Sequence, residues 1–164
     1  MRSILKVSWD SNLPIYAISQ SELQKKGIRS LLLDVDGTIV NRKSNMIPIS
    51  VKNWIIESKK LFSLYLISNN PSKKRIQKLA KELNLRYKYN ASKPRKKETL
   101  FVIKEIGIDT ENIAIIGDRI FTDIFVGNRC NIKTILVKRL NKDGLPIKFN
   151  LTLTIEKLIS HFLK

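Results

Sequence analysis

Two short segments carry carboxylates at spacings suited to work on phosphate esters. Asp34-Val35-Asp36-Gly37-Thr38 follows one apolar run, and Gly117-Asp118 follows another, with Asp123 five residues further on. A carboxylate attacks phosphorus readily, and the acyl phosphate it forms hydrolyses easily, so Asp34 is the candidate nucleophile. Asp34 and a phosphate monoester are both anionic and repel each other unless a cation lies between them. Mg2+ is a suitable cation because it takes hard oxygen ligands. The candidate metal residues are Asp34, Asp36, Asp118 and Asp123, with Asp34 and Asp118 as the natural carboxylate ligands and a backbone carbonyl and waters completing the shell. Asp36, two residues after Asp34, can leave the metal and act as general acid, then base. Gly37 permits a tight turn that brings N–H groups towards phosphoryl oxygens. Thr38 and Ser68 supply hydroxyls for the turn and the phosphate. Lys93 brings positive charge to where negative charge builds in the transition state. Asp123 can hold Lys93 or a metal-bound water. Gly37, Asn69 and Arg95 are the candidate substrate-binding positions.

These residues need a scaffold that gathers them on one edge. Short apolar runs alternate with longer amphipathic segments, which predicts an α/β domain with a mostly parallel sheet. Strands are expected at Ser30–Asp34, Leu64–Ser68, Arg86–Tyr89, Asn112–Ile116 and Lys133–Val137. Each of the first four leads into one cluster of chemistry-bearing residues, and ligands of open parallel sheets bind at that carboxyl edge. Helices are expected at Ser19–Lys26, Ser50–Lys60, Ser72–Leu83, Lys96–Ile106, near Ile120–Arg129 and at Thr152–Leu163. Ser50 is a candidate N-cap, with Trp54, Ile55 and Leu61 facing the core. Gly107 is a candidate C-cap. The last helix reads as cover for the core, with Leu153, Ile155, Leu158, Ile159 and Phe162 on or near one face. The segment Trp9–Ile18, interrupted by Pro14, fits no element cleanly.

The four clusters resemble the signature motifs of the haloacid dehalogenase (HAD) superfamily, in the family's order: DVDGT, Ser68 after an apolar strand, Lys93 before a helix, and GDRIFTD. The resemblance implies Asp34 as nucleophile, Asp36 as acid/base and Asp118 as a Mg2+ ligand. It also implies a three-layer Rossmann-like fold with a five-stranded parallel sheet of order 5-4-1-2-3. Asp34 to Ser68 spans 34 residues and Ser68 to Lys93 spans 25, each filled by about one helix. Neither gap holds a cap of ~60 or more residues, so an uncapped single domain over 1–164 is expected. From Leu13 to Lys138 the chain is similar to the YqeG-type branch of capless, subclass IIIA phosphatases. That branch is similar in turn to the phosphatidylglycerophosphate phosphatases of organelles. Many of its members carry Asn where Gly37 stands here, and commonly Gln where Arg119 stands.

Composition bounds the partners. Lys and Arg total 31 against 14 Asp and Glu, for a formal net charge of +17. A surface so cationic favours anionic partners such as a phosphorylated substrate, an anionic phospholipid surface or nucleic acid. Aromatic residues are only 7% of the chain and no nucleic-acid motif is present, which speaks against nucleic acid. Lys73, Lys74 and Arg75, and then Arg95, Lys96 and Lys97, open helices on the active edge, where a lipid headgroup would meet them. Three functions stay open: a phosphatidylglycerophosphate phosphatase, which the resemblance implies, a phosphatase for a soluble nucleotide or sugar phosphate, and a basic nucleic-acid-binding module. No apolar run approaches a membrane span and no signal peptide is evident, so a cytoplasmic protein is expected, peripheral to the membrane if its substrate is a lipid. Cys130 reads as a small buried group, and His161 is given no role.

Overall fold

A computed structural model of the chain describes residues 5–162. Its centre is a parallel sheet of six strands: β1 (Trp9–Asp10), β2 (Ser30–Leu33), β3 (Ser63–Ile67), β4 (Arg86–Lys88), β5 (Ile113–Gly117) and β6 (Lys133–Leu136). The strand order is β1-β6-β5-β2-β3-β4, with every neighbouring pair parallel. The expected order 5-4-1-2-3 is present as β6-β5-β2-β3-β4. The sheet is one strand wider than expected, because Trp9 and Asp10 pair with Ile135 and Leu136. Two residues carry no periodicity of their own, so only pairing reveals this strand. Beyond it, Ile15–Ala17 makes a single 3-10 turn that buries Ile15.

The strands are apolar on both faces because both faces are covered. Leu31, Leu33, Leu64, Leu66, Ala114 and Ile116 point into one layer, and Leu32, Tyr65, Ile67, Ile113 and Ile115 into the other. The first layer is closed by α1 (Gln20–Lys25), α2 (Ile49–Lys59) and α3 (Lys73–Leu83), through residues such as Leu23, Trp54 and Leu79. The second is closed by α4 (Lys97–Ile106) and α5 (Phe125–Arg129), through Val102, Ile103 and Val126. Each fully buried aliphatic side chain contributes about 1.5–3 kcal/mol of transfer free energy, which fixes Asp34 at the end of a wholly buried strand.

Helix ends depart from expectation in three places. Pro48, not Ser50, sits at the N-cap of α2, and no side chain caps that end. Leu61 lies past the end of α2 and is exposed instead of facing the core. The helix expected near Ile120–Arg129 is a π-helical turn at Ile120–Ile124 followed by α5. Gly107 ends α4 at φ 68, as expected, and two caps not anticipated appear: the Ser19 hydroxyl accepts from Glu22 N–H and the Ser72 hydroxyl from Arg75 N–H.

The C-terminal helix, α6 (Leu151–Phe162), packs Leu153 inward as expected but turns Ile155, Leu158 and Ile159 away from the core. Glu156 and Ser160 are buried, and Leu153 packs against the Ile120, Ile124 and Leu136 cluster. Ile155, Leu158 and Ile159 are exposed. The reason is a polar anchor: the Glu156 carboxylate accepts from Ile120 N–H at 2.7 Å and pairs with Arg119. Leu163 and the Phe162 side chain lie outside the described residues. No separate cap domain is inserted among the described residues, since a loop and α2 fill the stretch from Asp34 to Ser68, and α3 and β4 fill the stretch from Ser68 to Lys93.

Candidate active site

Three strand ends converge on Asp34. Its N–H donates to Ile116 O at 2.9 Å, which extends the pairing of β2 with β5 by one residue and brings Asp34 opposite Gly117, one residue before Asp118. The chain then curls, with Gly37 N–H donating to Val40 O at 2.7 Å and Ile39 N–H to Val35 O at 3.0 Å. Gly37 sits at φ 102, and a Cβ there would lie 2.7 Å from Asp118 Oδ2. The first turn is thus pressed directly onto the fourth-motif acid, and glycine is required for both its backbone angle and its missing side chain. At Gly117 only the missing side chain counts, since a Cβ there would run into the Asp123 carboxylate.

Lys93 ties the cluster together. Its buried ammonium donates to Asp34 Oδ1 at 2.7 Å, to Asp123 Oδ1 at 2.6 Å and to Ile67 O at 3.1 Å. The loop that delivers it is clamped by Asn69, whose Nδ2 donates to Lys93 O at 2.8 Å while its Oδ1 accepts from Lys93 N–H at 2.7 Å. Burial alone would lower the pKa of Lys93, but Asp123 and Asp34 outweigh it and hold the ammonium above its ordinary range. Asp34 is pushed up to about 8, chiefly by burial, against the pull of Lys93 and with the repulsion of Asp123 and Asp118 added. Asp118 is pushed up to about 6, again first by burial and then by Asp123, with Arg139 opposing. One ammonium and, on Asp118, the Arg139 guanidinium face three buried carboxylates, which leaves the cluster short of positive charge.

That shortage fits a divalent cation. Asp34, Asp118 and Asp123 each offer a carboxylate oxygen within 4.8 Å of the others. Asp118 Oδ1 is buried without a hydrogen-bond partner among the described residues, while its Oδ2 accepts from Arg139 Nε. Hard anionic oxygens with no sulfur or imidazole nearby suit a cation of the Mg2+ kind. The Asp36 carboxylate, placed among the metal candidates from sequence, is not in this group. It turns instead to Arg75 Nη1 at 2.8 Å and to Asn70 Nδ2 at 3.1 Å.

The remaining candidates divide. Ser68 lies at the end of β3, its hydroxyl accepting from Asn70 N–H at 3.1 Å, and it lines the cleft. Thr38 is fully buried, with no partner for its hydroxyl among the described residues. Asn69 lines the cleft but spends its amide on Lys93. Arg95 is exposed and does not line the cleft. The cleft has a volume of about 570 Å³, and its walls include Arg42, Lys43, Arg119 and Arg139, which the sequence reading left without a site role. Arg42 and Lys43 come from the loop after the first motif, and Arg139 from the loop after β6, where no spacing marks them. Arg75, counted with the surface lysines, instead holds that loop through Asn45 Oδ1 and Ser44 O, both at 2.9 Å.

Comparison with known proteins agrees with this arrangement. Residues 90–144 match the family model described as HAD-hydrolase-like. Over 138 residues the chain is 28% identical to a Bacillus subtilis (strain 168) protein named "Probable phosphatase YqeG", covering 83% of this chain and 80% of that one. Among solved structures, an uncharacterized protein from Listeria monocytogenes serotype 4b superposes with a TM-score of 0.56 at 17% identity, over 77% of this chain and 86% of that one. A 3-deoxy-D-manno-octulosonate 8-phosphate phosphatase from Yersinia pestis superposes with a TM-score of 0.52 at 14% identity, over 89% and 86%. At such identities the structural likeness establishes the fold alone.

Proposed function

We propose that this chain, haloacid-dehalogenase-like in sequence and fold, hydrolyses phosphate monoesters through an aspartyl-phosphate on Asp34, with Mg2+ as its cofactor. The observation that carries the proposal is the meeting of the Asp34, Asp118 and Asp123 carboxylates around Lys93 at the open carboxyl edge of the sheet. Asp34 attacks phosphorus, and the leaving oxygen departs with a proton from the Asp36 carboxyl. Asp36 then takes a proton from the water that cleaves the acyl phosphate. Arg75 and Asn70 hold Asp36 in place for both halves. Lys93 fixes the orientation of Asp34 and keeps a positive charge beside the phosphoryl group. Asp34 and Asp118 would hold the metal with Asp123 close by; when bound, the ion supplies charge neutralisation between the nucleophile and the incoming phosphate.

The substrate this reading favours is phosphatidylglycerophosphate, which would make the chain a cytoplasmic enzyme of phospholipid synthesis working at a membrane surface. Support comes from the sequence likeness to that branch, from an uncapped cleft, and from the Arg42, Lys43, Arg119 and Arg139 walls that suit an anionic headgroup. No helix among the described residues is long and apolar enough to cross a membrane. The test is phosphate release with and without Mg2+, from vesicles containing phosphatidylglycerophosphate and from a panel of nucleotide and sugar phosphates, with Asp34→Asn as control. Metal-dependent release lost in Asp34→Asn is expected, with the lipid preferred. Preference for a soluble ester would reject the lipid, and tight RNA binding without any phosphate release would reject the enzyme.

A further inference from the structure

We infer that the exposed apolar face of α6 docks onto an anionic lipid bilayer and seats the mouth of the cleft against it. The inference deepens the function proposed above and rests on it for what the docked cleft would then do. Leu151, Ile155, Leu158 and Ile159 are 61%, 47%, 59% and 41% exposed. They recur at i, i+4, i+7 and i+8, so they form one continuous stripe along the helix. Phe149, 69% exposed, extends it at the N-terminal end. Exposed apolar residues scattered singly need no explanation, whereas a contiguous stripe marks a surface that something covers.

The stripe borders the catalytic cleft. Thr152, next to Leu151, and Ile147, two residues before Phe149, both line the cleft. Charge selects the occupant. The only acid of α6, Glu156, is buried and bonded to Ile120 and Arg119, so the exposed helix surface carries no negative charge. Exposed Lys142 and Lys148 lie in the loop leading into α6, and Arg42 and Lys43 line the adjoining cleft. An apolar stripe flanked by cations is the pattern of a helix lying in the headgroup plane of an anionic membrane. A second copy of the chain suits this face poorly. It would bring two net charges of +17 together and crowd the cleft that adjoins the stripe.

Flotation with phosphatidylcholine vesicles, with and without phosphatidylglycerol, tests the inference. The wild type is expected to float with the mixed vesicles and stay behind with the neutral ones. Ile155→Gln combined with Leu158→Gln, and separately Phe149→Ser, should each weaken flotation, roughly tenfold or more for the double variant. Hydrolysis of p-nitrophenyl phosphate in solution should be unchanged in both, which shows that they fold. Flotation of the substituted chains equal to wild type would overturn the inference, since charge alone would then suffice. A wild type that never floats would overturn it too, as would a lipid-free dimer that the double variant splits. Asp34→Asn should float like wild type while releasing no phosphate. Phosphate release by Asp34→Asn with normal flotation would therefore defeat the assignment of Asp34 as nucleophile and leave the docking face standing.

Discussion

Replacing Lys93 by Met keeps most of the side-chain volume and removes the one ammonium that touches two of the three clustered acids. At an effective dielectric constant of about 20, two unit charges 2.7 Å apart attract by about 6 kcal/mol, and Lys93 has contacts of 2.7 and 2.6 Å with Asp34 and Asp123. Burying the ammonium costs several kcal/mol in return, so the net loss on removing one partner of a buried pair is about 3–5 kcal/mol. For a domain of this size that is a fall in Tm of roughly 6–20 °C. Metal makes the measurement specific. In EDTA the variant should melt far below wild type, and Mg2+ should narrow the gap, because the ion supplies charge to the same carboxylates. The pH dependence has a definite sign. The Lys93 pKa is held above its ordinary 10.5, so the stability it contributes is fully present below that value and lost only as pH rises beyond it. Lys93 therefore stays charged from pH 5 to 9, and the pH dependence in that range comes from the acids it faces. The variant leaves Asp34 and Asp123 without their cation, Asp118 keeping Arg139, so its deficit should grow as pH rises and shrink as the acids take up protons. Thermal unfolding followed by circular dichroism in EDTA decides it. A Tm within about 2 °C of wild type at neutral pH would mean that Lys93 does not neutralise this cluster.

Three further outcomes follow from the same geometry. Asp34 and Asp118 have pKa values raised to about 8 and about 6 from 3.8, so their own contribution to the stability of the metal-free fold is greatest below about pH 4 and falls as pH climbs to those values; the Tm difference between Mg2+ and EDTA should widen over pH 5 to 8, and a constant difference would refute this. Gly37→Ala puts a Cβ 2.7 Å from Asp118 Oδ2 at φ 102; it should cost about 1–3 kcal/mol and most of the activity, seen as a lower Tm and a lower kcat in one preparation. Arg75→Ala frees both Asp36 and the loop carrying Asn45; kcat should fall by about 10- to 100-fold at nearly constant Tm, and a change in KM alone would show that Arg75 serves substrate binding instead.

What was legible in the sequence follows from where the physics is local. DVDGT and GDRIFTD each sit at the end of a continuously apolar run, and such runs in an α/β pattern become central parallel strands. Asp34, Asp118, Ser68 and Lys93 therefore had to reach one edge once the strand order was right. Asn69 lines the cleft, as a substrate-binding candidate would, but its clamp on the Lys93 loop needs a partner 24 residues away that no periodicity announces. Arg139 and Arg42 enter through loops, where side-chain direction is set by tertiary packing such as Leu140 N–H donating to Gly37 O at 2.8 Å. The strand at Trp9–Asp10 was invisible because two residues hold no pattern.

The face of α6 went astray for a reason that bears on function. Hydrophobic periodicity assigns the Ile155–Leu158–Ile159 side to the core, and an isolated amphipathic helix would pack that way. Glu156 reverses the choice. Its carboxylate satisfies Ile120 N–H, at the first residue of the turn that also carries Asp123, and holds Arg119, which follows Asp118 directly. Leaving that N–H buried and unpaired would cost about 1–3 kcal/mol, comparable with burying one of the exposed aliphatic side chains. The polar contact thus fixes the helix against the fourth-motif loop, and the displaced apolar stripe is left facing outward. One helix consequently touches both the backbone that sets Asp118 and Asp123 and the surface assigned here to the membrane. If that coupling operates, Glu156→Gln should weaken Mg2+ affinity, read as a reduced Tm shift on adding the ion, while vesicle flotation persists. Unchanged Mg2+ affinity in a folded Glu156→Gln variant would show that α6 covers the loop without positioning it.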